Sequence, residues 1–69
     1  MERIYVSSSN ISSIGYDESQ MVLEVEFLSG GIYQYYDIPY ETYERFINAE
    51  SHGKFFHAYI KGVFPYQKV

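Results

Sequence analysis

A short segment near the end of the chain has residue types suited to binding an anion. Ser51 is a residue type that often caps a helix, and the first backbone N–H groups of such a helix carry partial positive charge. Gly53 would let a ligand approach the backbone closely, and Lys54 would add a full positive charge. The glycine-rich run and the preceding strand of a phosphate-binding P-loop are missing. The alternative is a helix cap followed by a turn glycine, with no ligand.

A pair of tyrosines, Tyr33 and Tyr35, forms a second candidate site. Two aromatic residues on one strand face resemble the pattern by which RNA-binding sheets stack bases, at ~1–3 kcal/mol for each base. Their expected neighbours on that face, Glu24 and Glu26, would repel phosphates. The alternative is that both rings pack beneath the N-terminal segment or the C-terminal tail, each hydroxyl having a hydrogen-bond partner.

The residue types needed for metal binding or catalysis are absent or poorly spaced. The chain has no cysteine, and His52 and His57 are five positions apart, whereas a histidine pair that binds a metal on a helix is four apart. A histidine base acting on a serine needs a third group to orient it, and no spacing suggests one. We therefore predict a protein that is not an enzyme and has no metal, no cofactor and no catalytic residue.

Charge is distributed unevenly along the 69 residues, whose formal net charge is -4. Residues 1–50 hold all nine carboxylates and both arginines, while residues 51–69 hold the three lysines and no carboxylate. The overall acidity argues against duplex DNA binding through a broad basic face, but the basic C-terminal part can offer a local anion site. The candidate ligand-binding residues are Tyr33, Tyr35, Ser51, Gly53, Lys54, Lys61, Tyr66 and Lys68.

The elements that would position these residues follow from hydrophobic periodicity. Alternating apolar residues predict strands over 11–16, 20–28 and 32–38, whereas residues 1–10 are weakly patterned. Apolar residues three and four apart predict one helix over 39–49, beginning at Pro39, and a second helix between Ser51 and Gly62. The expected fold is α+β, with a three-stranded antiparallel meander, two C-terminal helices (β-β-β-α-α) and a short docked tail over 63–69, all in one domain of residues 1–69.

The turn at Ser29-Gly30-Gly31 decides which side chains share a face of the sheet. A loop with an even number of residues would place Tyr33 and Tyr35 beside Glu24 and Glu26, on the face opposite the apolar residues of 20–28. An odd loop or a bulge would reverse this assignment. The even loop is favoured because it stacks apolar residues on apolar residues.

Several segments at these spacings resemble the KTSC domain, a short module named for its occurrence at the C-terminus of some lysyl-tRNA synthetases. The matching segments are Ser8-Ser9-Asn10-Ile11, Ile14-Gly15-Tyr16-Asp17, Leu23-Glu24-Val25-Glu26-Phe27, Tyr33-Gln34-Tyr35, Ile38-Pro39, Ala49-Glu50-Ser51-His52-Gly53-Lys54, Phe56, Ile60 and Pro65-Tyr66. The resemblance covers nearly the whole chain, and such domains also occur as stand-alone small bacterial and phage proteins. It also implies RNA binding through the synthetase context. Members often have a polar or basic residue after Phe56, whereas this chain has His57-Ala58-Tyr59.

Two classes of function remain open on the sequence. The basic C-terminal part predicts a binding module for RNA, a nucleotide or another anionic ligand. The acidic body, together with nine tyrosines and five phenylalanines, instead suggests a protein-interaction module, such as a small regulator of a host protein or a homo-oligomer. The chain has neither the apolar core of a signal peptide nor a run long enough for a membrane helix, so a cytoplasmic protein without a membrane partner is expected.

Overall fold

A computed structural model describes residues 1–69 and contains five strands and two helices. In chain order these are β1 (Arg3–Tyr5), β2 (Ile11–Asp17), β3 (Val22–Phe27), β4 (Ile32–Tyr35), α1 (Tyr40–Ile47), α2 (His52–Tyr59) and β5 (Tyr66–Lys68). All neighbouring strands pair antiparallel, and their order across the sheet is their order in the chain. The α+β class, the central meander and the two helices are confirmed, whereas the number of three strands is wrong.

The two additional strands lie at the two edges of the sheet. Each is only three residues long and mostly exposed, so neither has the apolar alternation that marks a longer strand. Strand β5 is the docked tail, held along β4 by hydrogen bonds that include Tyr36 N–H to Pro65 O and Val69 N–H to Ile32 O, both 2.9 Å. Both edge strands therefore form through backbone hydrogen bonds to a neighbouring strand, which the hydrophobic pattern of the sequence does not reveal.

The hairpin between β3 and β4 has the odd loop, so the favoured register was wrong. Gly30 adopts a φ of 109°, a conformation that suits glycine, and its N–H donates to Phe27 O at 2.9 Å. The N–H of Phe27 donates to Gly31 O, which leaves a three-residue loop of the kind that ends in a left-handed glycine. Leu23 then pairs with Tyr35 and Val25 with Tyr33. Both tyrosines therefore share the core face of the sheet.

The helices cover that face and complete the core. The fully or nearly buried apolar residues are Ile11, Ile14, Leu23, Val25, Tyr35, Ile38, Phe46, Phe56 and Ile60. Each helix has only eight residues and contributes one buried aromatic ring, Phe46 from α1 and Phe56 from α2. Tyr40 and Tyr59 are 45% and 50% exposed, so only part of each predicted apolar stripe belongs to the core.

The ends of the helices follow their sequence signals closely. Pro39 immediately precedes α1 in an extended conformation, rather than occupying its first turn. The hydroxyl of Ser51 accepts the N–H of Lys54 at 3.2 Å and caps α2, as predicted. Helix α2 ends at Tyr59 with Ile60 as its C-cap, earlier than the predicted cap at Gly62, which takes a φ of 79° in the turn that follows. Neither helix combines the length and apolar character that crossing a bilayer requires.

The opposite face of the sheet carries a row of polar side chains. Arg3 forms an ion pair with Glu24, whose second carboxylate oxygen accepts from Gln34 Nε2 at 3.0 Å. The arginine crosses Gly15, where an added Cβ would lie 2.9 Å from Arg3 Cγ and from the backbone oxygen of Glu2. Glu24 therefore lies on the face opposite Tyr33 and Tyr35. The carboxylate would not repel a phosphate bound beside these tyrosines.

Candidate ligand-binding cleft

A cleft of about 550 Å³ opens on the helix-covered side of the sheet, between the β3–β4 turn, β5 and the end of α2. We call it the aromatic compartment because four tyrosine or phenylalanine rings of the sheet and the ring of Phe56 from α2 line it. Its lining residues are Ser9, Asn10, Phe27, Leu28, Ser29, Tyr33, Tyr35, Phe56, His57, Lys61, Gly62 and Tyr66. The rings also contact one another, since Phe27 and Tyr35 each pack edge-on against Phe56 and Tyr35 stacks with Tyr66.

Tyr66 presents the most accessible tyrosine or phenylalanine ring of the aromatic compartment. It is 61% exposed and stacks on Tyr35, with ring centroids 5.5 Å apart and planes 29° apart. It also lies 6.0 Å from the ring of Tyr33 at a tilt of 50°. Because β4 and β5 are antiparallel partners with Tyr35 opposite Tyr66, these rings share one face of the sheet. Tyr66 is therefore an exposed aromatic surface supported from beneath.

Tyr33 and Tyr35 support the site more than they expose a stacking surface. Tyr35 is only 5% exposed and packs edge-on against Phe56, with ring centroids 5.4 Å apart. Burial, and secondarily the neighbouring phenols of Tyr66 and Tyr33, raises the pKa of Tyr35 to about 12. Tyr33 is half-buried and packs edge-on against Phe27. The open pair of stacking tyrosines considered from the sequence is thus replaced by a single exposed ring at Tyr66.

A second hollow of about 510 Å³ adjoins the first at the start of α2, and we call it the polar compartment. Its lining residues are Ser9, Asn10, Ser51, Gly53, Lys54, His57 and Ala58. The first backbone N–H groups of a helix carry the positive end of its dipole, and in α2 the N–H of Lys54 is already bonded to the Ser51 hydroxyl. Gly53 is buried against the side chain of Asn10, so its lack of a side chain accommodates this packing.

The two compartments meet at three residues that line both of them: Ser9, Asn10 and His57. We call these residues the waist. The structure brings seven of the predicted residues into one or other compartment: Tyr33, Tyr35, Lys61 and Tyr66 into the aromatic compartment, and Ser51, Gly53 and Lys54 into the polar compartment. Lys68 lines neither, although it pairs with Tyr33 across β4 and β5 and so shares the same sheet face.

The sequence did not reveal the residues of the waist or the deeper rings. Asn10 and Ser9 belong to a serine-rich turn, and no local signal in that turn marks a contact with α2. Phe27 and Phe56 matched core patterns, and the place of Phe27 beside Tyr33 depends on the register of the hairpin. The correct odd loop would have been the one signal able to put Phe27 and Tyr33 on the same side.

The electrostatics of the cleft are positive although the protein is acidic. No carboxylate lines either compartment. Arg3 is paired with Glu24, and the guanidinium of Arg45 lies over the rings of Phe55 and Tyr59 at 5.5 and 5.2 Å, away from the cleft. None of the three lysines has an ion-pair partner. The lysines are therefore the side-chain cations with neither an ion-pair nor a ring partner, and Lys54 and Lys61 line the cleft.

The histidines have different environments and no metal-binding geometry. His52 Nε2 donates to the backbone oxygen of Ile47 at 3.2 Å, and its Nδ1 is buried without a partner. His57 is exposed in the waist. No group of three or more histidine, cysteine or acidic side chains comes together in the structure. The cleft thus contains an exposed aromatic ring, lysines and polar side chains, and no metal-binding group.

Comparison with known proteins gives a consistent result. The model of the KTSC domain family matches residues 7–64. The crystal structure of a KTSC domain protein from Yersinia pestis superposes with a TM-score of 0.97 at 44% identity, covering 99% of this chain and 96% of that one.

Two curated relatives differ greatly in length. A protein of Stutzerimonas stutzeri is 41% identical over 61 residues, which are 88% of this chain and 86% of that protein. A lysine–tRNA ligase from Nostoc sp. is 39% identical over 61 residues, and this chain spans only 11% of its length. The same domain thus occurs both as most of a small protein and as a small part of a large one.

Proposed function

The chain belongs to the KTSC domain family, and we propose that it is a non-enzymatic module that binds a nucleotide, free or within single-stranded RNA. The base would occupy the aromatic compartment and a phosphate the polar compartment. The observation that carries this proposal is the direct adjacency of the two compartments, one bearing an exposed ring and the other a lysine and a helix start.

The aromatic compartment suits a base because Tyr66 offers an exposed ring that its neighbours hold in place. A base stacked on an aromatic side chain contributes about 1–3 kcal/mol to binding. The support from Tyr35 reduces the ordering that Tyr66 would undergo on binding, since the ring is already stacked at 5.5 Å. The site would accept different bases, because every base has a π face.

The polar compartment suits a phosphate because several positive groups converge and no carboxylate opposes them. The start of α2 supplies partial positive charge, and Lys54 supplies a full charge. Lys61, which lines the aromatic compartment, would add a second full charge. The net charge of -4 belongs to the rest of the molecule and lowers only the long-range attraction.

The lysine–tRNA ligase relatives support an RNA ligand, because an RNA is the substrate that their name states. This chain matches about a tenth of each ligase, so only the domain and not the ligase reaction is common to both. We extend to this chain only the capacity to contact RNA.

The proposal is tested by titrating the protein with 5′-AMP and with a hexamer of riboadenylate at low salt, using tyrosine fluorescence. Affinity for the hexamer should fall with salt, with a log–log slope of about -1.4 if only Lys54 and Lys61 contact phosphates and about -2.1 if Lys68 contributes too. Lys54→Glu should weaken binding. Arg45→Glu is the matched control, since it changes the net charge equally at a site outside the cleft. Absence of binding at low salt, or equal effects of the two substitutions, would overturn the proposal.

A second candidate function, binding to a protein or to another copy of the chain, is favoured by the β1 edge. The outer edge of β1 has no partner strand, and beside it Ile4 is 54% and Tyr5 79% exposed. An unpaired edge with exposed apolar side chains can accept an added strand. Light scattering and a pull-down from lysate, each repeated with Tyr5→Lys, test this candidate. A monomer that captures no protein would count against it.

A further inference from the structure

In the proposed binding mode, the sugar of the nucleotide would lie at the waist between the two compartments. A base in the aromatic compartment and a phosphate in the polar compartment would be joined by their sugar, which must then pass Ser9, Asn10 and His57. These three residues are polar, whereas the adjoining rings are apolar. The hydrogen-bond donors and acceptors of these three side chains would therefore determine which sugar binds there.

The side-chain amide of Asn10 has a fixed orientation. The hydroxyl oxygen of Ser8 accepts the backbone N–H groups of Asn10 and Ile11 at 3.3 and 3.2 Å. Its single hydrogen is directed to Asn10 Oδ1 at 3.1 Å. Because a hydroxyl hydrogen must go to an acceptor, the oxygen of the amide faces Ser8 and the nitrogen faces away.

The backbone of Asn10 is also fixed. Its carbonyl oxygen accepts the N–H of Leu28 at 2.9 Å, which ties it to the end of β3. The side chain of Asn10 packs against Gly53 in the first turn of α2. The contact is so close that a Cβ atom added to Gly53 would lie 2.6 Å from Asn10 Oδ1. Asn10 is thus held by β3, by α2 and by its own turn, and a donor held in this way needs little ordering on binding.

Asn10 Nδ2 has no hydrogen-bond partner within the protein and is not among the fully buried polar atoms. An amide nitrogen can only donate, so it is suited to an acceptor on the ligand. The ribose 2′-hydroxyl is an acceptor that deoxyribose lacks, and it is the group by which proteins distinguish RNA from DNA.

We infer that the waist selects ribonucleotides over deoxyribonucleotides, with Asn10 Nδ2 donating to the 2′-oxygen. This inference rests on the proposed nucleotide binding and names its substrate class. One neutral hydrogen bond corresponds to roughly a two- to tenfold preference for ribose. The preference should be the same for a free nucleotide and for a strand, since it arises at one sugar.

The test compares 5′-AMP with 5′-dAMP, and riboadenylate with deoxyadenylate hexamers, by tyrosine fluorescence titration. The native protein should bind the ribose form of each pair two- to tenfold more tightly. Asn10→Ala should bring that ratio to about one, while Asn48→Ala, which changes an asparagine at the end of α1, should leave it unchanged. Ser8→Ala keeps the amide but removes the bond that orients it, so the ratio should fall there too.

The possible results distinguish the selection of ribose from nucleotide binding itself. If neither sugar form binds, both are overturned. Equal binding of ribose and deoxyribose forms by the native protein would overturn the selection of ribose and leave nucleotide binding intact. A ribose preference that survives in a folded Asn10→Ala or Ser8→Ala protein would overturn the role of Asn10. Circular dichroism of each variant establishes that it is folded.

Discussion

Replacement of Tyr66 by alanine should impair binding far more than folding. Tyr66 is 61% exposed, so only about two fifths of its side chain is buried. Truncating a fully buried aromatic residue to alanine costs about 3–5 kcal/mol, so this substitution should cost about 1–2 kcal/mol of unfolding free energy. A chain of 69 residues has roughly 3–10 kcal/mol in total, and the variant should remain folded. Loss of the stacking surface, worth about 1–3 kcal/mol, should weaken nucleotide binding roughly 5- to 150-fold.

Tyr59 provides the matched control for this experiment. It is 50% exposed, belongs to α2 and packs on Phe55 beneath Arg45, outside both compartments. Urea unfolding and fluorescence titration with 5′-AMP would be run on the native protein and on both alanine variants. Tyr59→Ala should lose similar stability and keep the native affinity. The reasoning is refuted if Tyr66→Ala binds as tightly as the native protein, or if both variants lose affinity equally.

Three further results are expected. Gly15→Ala should cost about 1–3 kcal/mol in urea unfolding, because the new Cβ would lie 2.9 Å from the backbone oxygen of Glu2 and force β1 outward; an unchanged midpoint would contradict this contact. Gly53→Ala should displace Asn10, losing about 1 kcal/mol with the Ser8 bond and regaining about as much from helix propensity, so stability should hold while the ribose preference disappears. A stability loss well above 2 kcal/mol would show that Asn10 cannot move. Burial raises the pKa of Tyr35 to about 12 in the folded protein, whereas it is near 10 in the unfolded chain. The stabilising contribution of the neutral phenol should therefore be complete below pH 10 and decrease as the pH rises toward 12. Thermal unfolding from about pH 8 to 11 measures this decrease, and in Tyr35→Phe this part of it should vanish.

The central hairpin illustrates how far local patterning determines the fold. The alternation of Leu23, Val25 and Phe27 identified β3 and its buried face correctly. The register of β4 depended instead on the conformation of Gly30, which closes a three-residue loop. Nothing in the alternation distinguishes that loop from an even one, because a tyrosine fits either face of a sheet. One glycine dihedral thus moved Tyr35 from the expected polar face into the core.

The cleft could be predicted in its members but not in its assembly. The cap at Ser51 and the lysines followed from residue type, and the structure brings most of them to one side of the molecule. The contact between Asn10 and Gly53 joins distant parts of the chain and has no periodic signal. Strand β5 is too short to show a hydrophobic pattern, and its backbone pairing with β4 brings Tyr66 into the cleft beside Tyr35. Long-range pairing therefore determines the site that short-range patterns only suggest.

The most direct measurement of nucleotide binding in the cleft is an NMR titration of ¹⁵N-labelled protein with 5′-AMP at low salt. Saturable shifts should appear at Asn10, Gly53, Lys61 and Tyr66, which lie around the two compartments, while the exposed edge at Ile4 and Tyr5 should not respond. Spectra that stay unchanged up to millimolar nucleotide, or shifts confined to the β1 edge, would contradict nucleotide binding in this cleft.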